Sequence, residues 1–169
     1  GKNTIRPDGA EKVTGRAEYA ADTTMPGMLW GKVLRSPHAH ATIKSINTRK
    51  AESLSGVYAI ATNDDAVDFP LDTPVILGIQ DIRWMARNVL AKEKALFHGH
   101  PIAAVAAQTE EIAQKACELI EVDYEVHPWA IEINEAIKDD APVLHEFIKF
   151  EGKPSNIAGT LEHKKGDIE

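Results

Sequence analysis

Four histidines fall into two pairs of equal spacing, His38 with His40 and His98 with His100. On an extended backbone, residues two apart share a face. Each pair could therefore present two imidazoles together, and both pairs combined could form a four-histidine metal site. A proline beside each pair, Pro37 and Pro101, breaks regular strand geometry, and no carboxylate completes a metal-ligand spacing. Hydrogen bonding or packing at bends that meet a partner surface is the plainer role. Ser36 stands close to His38, as a nucleophile stands to its base, but no GxSxG elbow is present, and polar neighbours in a turn are common. The acidic pairs Asp64–Asp65 and Asp139–Asp140 read as solvated turn residues. Neither GxGxxG nor GxxxxGK[ST] occurs. Cys117 is the single cysteine, so an intramolecular disulfide and a cysteine metal cluster are both excluded, and it reads as a small core residue. Trp30, Trp84 and Trp129 read as core or interface anchors. No catalytic, cofactor-binding or metal-binding set emerges from the residues themselves.

The elements that must position these side chains are clearest between Phe97 and Pro128. Pro101 to Ala107 is an almost wholly apolar run, as in a strand covered on both faces. Thr109 can cap a helix whose apolar side carries Ile112, Ala113, Ala116, Cys117, Leu119 and Ile120, with Glu110, Glu111, Gln114, Lys115 and Glu118 opposite. The period then becomes two. Val122, Tyr124 and Val126 alternate with Glu121, Asp123 and Glu125, giving a strand with one dry face.

A looser version of the same unit precedes it. A strand over 42–46, a helix over 48–54 ended by Gly56, and a strand over 57–61 follow an earlier strand over 29–34. The bend Arg35-Ser-Pro-His-Ala-His-Ala41 would make an ornate hairpin of the first two strands. Asn63 or Asp64 could cap a short turn through Val67. Residues 74–79 suggest a strand, and residues 81–90 a loop with a helical turn. A short helix near 134–138 and a strand over 143–145 close the pattern. Residues 1–14 read as an extended lead-in, 15–150 as the domain, and 151–169 as the start of a linker.

A hydrophobic share of 43% and a charged share of 27% describe an ordinary globular chain, and 169 residues suffice for one domain with a real core. The net charge of −7, with Lys and Arg scattered, argues against a nucleic-acid surface. No stretch has the ~20 apolar residues of a membrane span. The N-terminal GKNTIRPDG lacks the apolar run of a signal peptide, which points to the cytoplasm.

A series of motifs carries further meaning. Lys12-Val-Thr-Gly-Arg-Ala-Glu-Tyr-Ala-Ala-Asp22, Met25-Pro-Gly-Met-Leu29 and Arg35-Ser-Pro-His-Ala-His-Ala41 are followed by Leu54-Ser-Gly-Val57 and Gly99-His-Pro-Ile-Ala-Ala-Val-Ala106. Then come Ala113 to Val122, Asp123-Tyr-Glu125, Ala141-Pro-Val-Leu-His-Glu146, Asn156-Ile157 and Gly166-Asp167. In this order, and over nearly the whole chain, they resemble the opening of the molybdenum-binding subunit of the xanthine dehydrogenase and aldehyde oxidase family. The resemblance implies an α+β fold, the α/β hammerhead, with a mixed sheet and two strand-helix-strand units.

It also implies a non-catalytic N-terminal domain of a molybdenum-dependent oxidoreductase subunit. The parent would use molybdopterin, in some relatives as the cytosine dinucleotide, with [2Fe-2S] clusters and often FAD on partner domains or subunits. The later cofactor motifs and the family's glutamate base are not present in this sequence, so no catalytic residue carries over. The linker from residue 151 would lead to a molybdopterin-binding domain, and an apolar patch is expected where such domains pack. The family more commonly has Gly-Gln-Pro or Gly-Glu-Pro where this chain has Gly99-His-Pro101. If that side chain meets a neighbouring domain, His100 would make the contact pH-sensitive. Arg35, His38, His40, His98, Gly99 and His100 are accordingly the candidate interdomain contacts. The alternative is a stand-alone protein-binding or adaptor module with no enzymatic parent.

Overall fold

The computed structural model describes residues 4–66, 88–146 and 148–166. The expected strand over 74–79, most of the loop over 81–90, the end of the turn at Val67, and Trp84 lie outside those residues.

The helix is built as its spacing predicts. Glu110–Leu119 (α3) starts at Thr109, whose hydroxyl accepts from the Ile112 N–H at 3.3 Å. Glu110 and Glu111 occupy the first turn, where the helix dipole favours negative charge. Ala113, Ala116 and Cys117 are buried, and Ile120 just beyond the helix joins them in the core. Pro101–Ala107 (β5) supplies the other side of that core with Ala103, Val105 and Ala107. Ile102 is fully buried outside this cluster, so β5 is covered on both faces. In Glu121–Val126 (β6), Val122 and Tyr124 are half-buried while Val126 is exposed, so the dry face fades at its end.

The other principal elements are Gly9–Val13 (α1), Trp30–Arg35 (β1), Ala41–Asn47 (β2), Arg49–Glu52 (α2), Val57–Ala61 (β3) and Lys94–Ala95 (β4). Gly56 ends the α2 region at φ +89°, and its carbonyl accepts from the Gln108 N–H at 2.8 Å. Sheet order shows how the two strand-helix-strand units combine. One sheet runs β1-β5-β3 and the other β4-β2-β6. The first unit, β2-α2-β3, starts in the second sheet and ends in the first. The second unit, β5-α3-β6, does the reverse. Pairing is therefore reciprocal: β3 lies on β5 and β2 on β6, with α2 against α3.

The hammerhead α+β architecture with two such units is thus observed. Within it, every strand pair among the described residues is antiparallel, in separate small sheets. Each helix carries the chain from one sheet to the other rather than between parallel neighbours, so no parallel pair arises. The ornate hairpin is corrected for the same reason. β1 pairs with β5 and β2 with β4 and β6, and residues 36–40 pass between the sheets.

Two further expectations change near the ends. Within the extended lead-in, Asp8 bridges Arg6 and Lys12, each at 2.6 Å, and residues 9–13 take the helical turn α1. Near the other end, Ile133–Ala136 (α4) forms as expected, but residues 143–145 form no strand. Asn156 holds that segment instead, accepting from the Leu144 N–H at 3.0 Å and donating to the Ala136 and Pro142 carbonyls at 2.9 and 3.0 Å. Lys149–Phe150 (β7) and Lys153–Pro154 (β8) form a hairpin across the turn at Glu151 and Gly152. Packed structure therefore continues past residue 150, where the linker was expected to begin.

Candidate functional site

The two histidine-bearing bends are hydrogen-bonded to each other. The Ser36 N–H donates to the His100 carbonyl and the Gly99 N–H to the Ser36 carbonyl, both at 2.9 Å. Arg35 adds a third strut, its guanidinium Nη1 donating to the Gly99 carbonyl at 2.9 Å. Gly99 sits at φ +86°, a conformation that favours glycine and aims its carbonyl and amide in these directions.

His100 is 1% exposed. Its Nε2 lies 2.9 Å from the Asn88 carbonyl, which can only accept, so Nε2 carries the proton. Its Nδ1 then accepts from the Leu96 N–H at 3.2 Å, and Phe97 stacks on the ring at 4.4 Å between centroids. The imidazole ties the loop before β5 together from inside. The side chain expected as a pH-sensitive docking contact is instead buried in its own domain, because it supplies one donor and one acceptor to two backbone groups. The glutamine of the commoner motif would also supply one of each.

The other bend is held at the far end of β6. His40 is 6% exposed and donates from Nδ1 to the Pro128 carbonyl at 2.8 Å, which leaves Nε2 as a buried acceptor without a hydrogen-bond partner. The His127 N–H donates to the His40 carbonyl at 3.0 Å, the two rings lie 5.0 Å apart, and His127 Nε2 meets Thr42 Oγ1 at 2.7 Å. His38 packs edge-on against Tyr124 at 5.0 Å. Burial pushes the Tyr124 hydroxyl up, opposed by a hydrogen bond with Ser36. His98 is exposed.

The two pairs do not form one site. His38 and His40 face β6 and the residues after it, whereas His100 faces residues 88–97. Among the described residues no group of three or more His, Cys, Asp or Glu side chains could hold a metal ion. Ser36 Oγ is engaged by the backbone of His38, accepting from its N–H and donating to its carbonyl at 3.0 Å each, so the imidazole is not its partner.

Three groups outside the candidate interdomain contacts shape this region. Lys94 pairs with Glu146, whose carboxyl it holds below the usual range. Beside it, burial pushes His145 down from the ordinary histidine value, partly opposed by Glu146. The third, His127, follows β6 with no motif around it, and its contacts with Thr42 and His40 give it a role.

The arrangement defines a structural domain: two interlocked strand-helix-strand units with buried polar struts between loops. A family model for the α/β hammerhead domain of aldehyde oxidase and xanthine dehydrogenase matches residues 14–128. The chain belongs to that family. It is 40% identical over 165 residues to a probable xanthine dehydrogenase subunit of Bacillus subtilis, covering 98% of this chain and 20% of that protein. It is 43% identical over 150 residues to the carbon monoxide dehydrogenase large chain of Afipia carboxidovorans, covering 88% and 18%. In three dimensions it resembles the Cu,Mo-CO dehydrogenase in its carbon monoxide reduced state. There the TM-score is 0.69 and the identity 34%, over 95% of this chain and 19% of that one. The chain thus spans about a fifth of the length of the relatives it matches.

Proposed function

We propose that this chain is a non-catalytic N-terminal domain of a molybdenum-dependent oxidoreductase subunit, which packs against the parts that bind the cofactor. The observation that carries this reading is the ratio of coverages: 98% of this chain aligns with only 20% of a relative five times as long. In that parent, molybdopterin would lie in the remaining domains of the subunit. The [2Fe-2S] clusters, and FAD where present, would lie on partner domains or subunits. The more exposed candidates, Arg35, His98 and the half-buried His38, are the ones available for contacts between domains, while His40 and His100 act by shaping the loops that carry them.

The test is the intact gene product. It should continue well beyond residue 169, purify with molybdenum measurable by plasma mass spectrometry, and release a pterin on acid extraction. A substrate screen with an artificial electron acceptor would then assign the reaction. A natural chain that ends near residue 169 and binds neither metal nor pterin would favour an adaptor module instead.

A further inference from the structure

Between His127 and Pro142 the backbone is held at both ends while its large apolar side chains face outward. At one end, His40 donates to the Pro128 carbonyl, and His127 bonds both the His40 carbonyl and Thr42. At the other, Asn156 binds the Ala136 and Pro142 carbonyls. Between these fixed points Trp129 is 54% exposed, Ile131 77% and Ile133 78%, and Ile137 also faces solvent. Trp129, Ile131 and Pro142 border an open cavity of about 390 Å³. Glu132, Glu135 and Asp140 stand around it with one cation, Lys138. An apolar centre inside a charged rim is the anatomy of an interface.

We propose that this ridge is the seat of the remainder of the same subunit, which meets it with an apolar patch edged by basic residues. The inference rests on the functional reading above and names the surface that this reading leaves unspecified. Two observations favour this occupant. The relatives carry about four-fifths of their length outside the matched region, so a large covalently attached partner is at hand. Asn156, which fixes the ridge, also brings the chain alongside it, so residues that follow set out from this face. The rim also disfavours a second copy: Lys138 pairs with Glu135 at 2.7 Å, and Glu132 and Asp140 leave each face net negative, so two like faces would repel.

The experiment places the photocrosslinker p-benzoylphenylalanine at position 131 of the full-length subunit. After irradiation, the expected product migrates as a single subunit, and peptide mass spectrometry finds position 131 joined to a residue beyond 169. Hydroxyl-radical footprinting of the unsubstituted subunit should show Trp129 protected when native and oxidised when unfolded. A cross-link to a second copy or to another subunit, or a Trp129 that oxidises as readily in the native protein, would overturn the proposal. A subunit that lacks molybdenum yet cross-links as expected would fail the functional reading alone. One that holds molybdenum but leaves Trp129 accessible would fail this one.

Discussion

Gly56 offers the most direct test of how the two units lock together. It sits at φ +89°, and a Cβ added there would lie 2.7 Å from Ile112 Cδ1 on α3. Two separate costs follow for Gly56→Ala. Holding an L-residue in the left-handed region costs roughly 1–2 kcal/mol. Forcing the Ile112 side chain aside adds about 1–3 kcal/mol of overpacking. The sum is about 2–5 kcal/mol, a large part of the stability of a domain this size. Ile112→Val removes the clashing Cδ1 itself, at a cost of about 0.5–1.5 kcal/mol. In that background Gly56→Ala should cost only its backbone share, roughly 1–2 kcal/mol. Urea unfolding of the four proteins measures the coupling. If Gly56→Ala costs the same with Ile or Val at position 112, the contact across the units is refuted. If it costs under about 0.5 kcal/mol in both, the backbone cost is refuted as well.

Three further outcomes are expected. His100→Leu removes the acceptor of the Leu96 N–H and the donor to the Asn88 carbonyl, and should destabilise by about 2–4 kcal/mol. His100→Gln, which keeps one donor and one acceptor, should cost clearly less in the same denaturation series. Thr109→Ala removes the α3 cap and should cost about 1 kcal/mol, with faster amide exchange confined to the first turn of the helix. His145 is held below its ordinary value by burial, so the unfolded chain takes up its proton first on acidification. Its contribution is complete above about pH 6.5 and falls as the pH drops below it. His145→Gln should flatten that limb of the pH-stability curve, and an unchanged slope would refute the assignment.

Local pattern was enough to read α3, β5 and β6. A 3.6-residue stripe and a two-residue alternation state directly which faces are dry. The partners of those strands were not readable. β5 finds β1 and β3, and β6 finds β2, across sequence gaps that leave no mark on composition. The histidines failed to be read for a related reason. Their spacing suggested shared faces, yet His40 is defined by a carbonyl 88 residues away and His100 by backbone groups 4 and 12 residues away. Asn156 stood in one of the motifs, but its partners were not readable, since its three bonds reach residues 136, 142 and 144. The exposure of Trp129, Ile131 and Ile133 was not readable either, because an apolar side chain in a short segment carries no mark of which face it takes.

The exchange of strands between the sheets also governs the order in which the chain can fold. Among the described residues, β1, β2 and β3 form no pairs with one another. Each waits for β4, β5 or β6. During synthesis the first half of the domain therefore leaves the ribosome with its strand edges open. About 65 residues separate the end of β3 from the end of β6, an interval of roughly 3–13 s at ~5–20 residues per second. The β1-β5-β3 sheet can close once β5 has emerged and the β4-β2-β6 sheet only after β6, so the nascent chain passes through a stage in which chaperones have unpaired strands to hold.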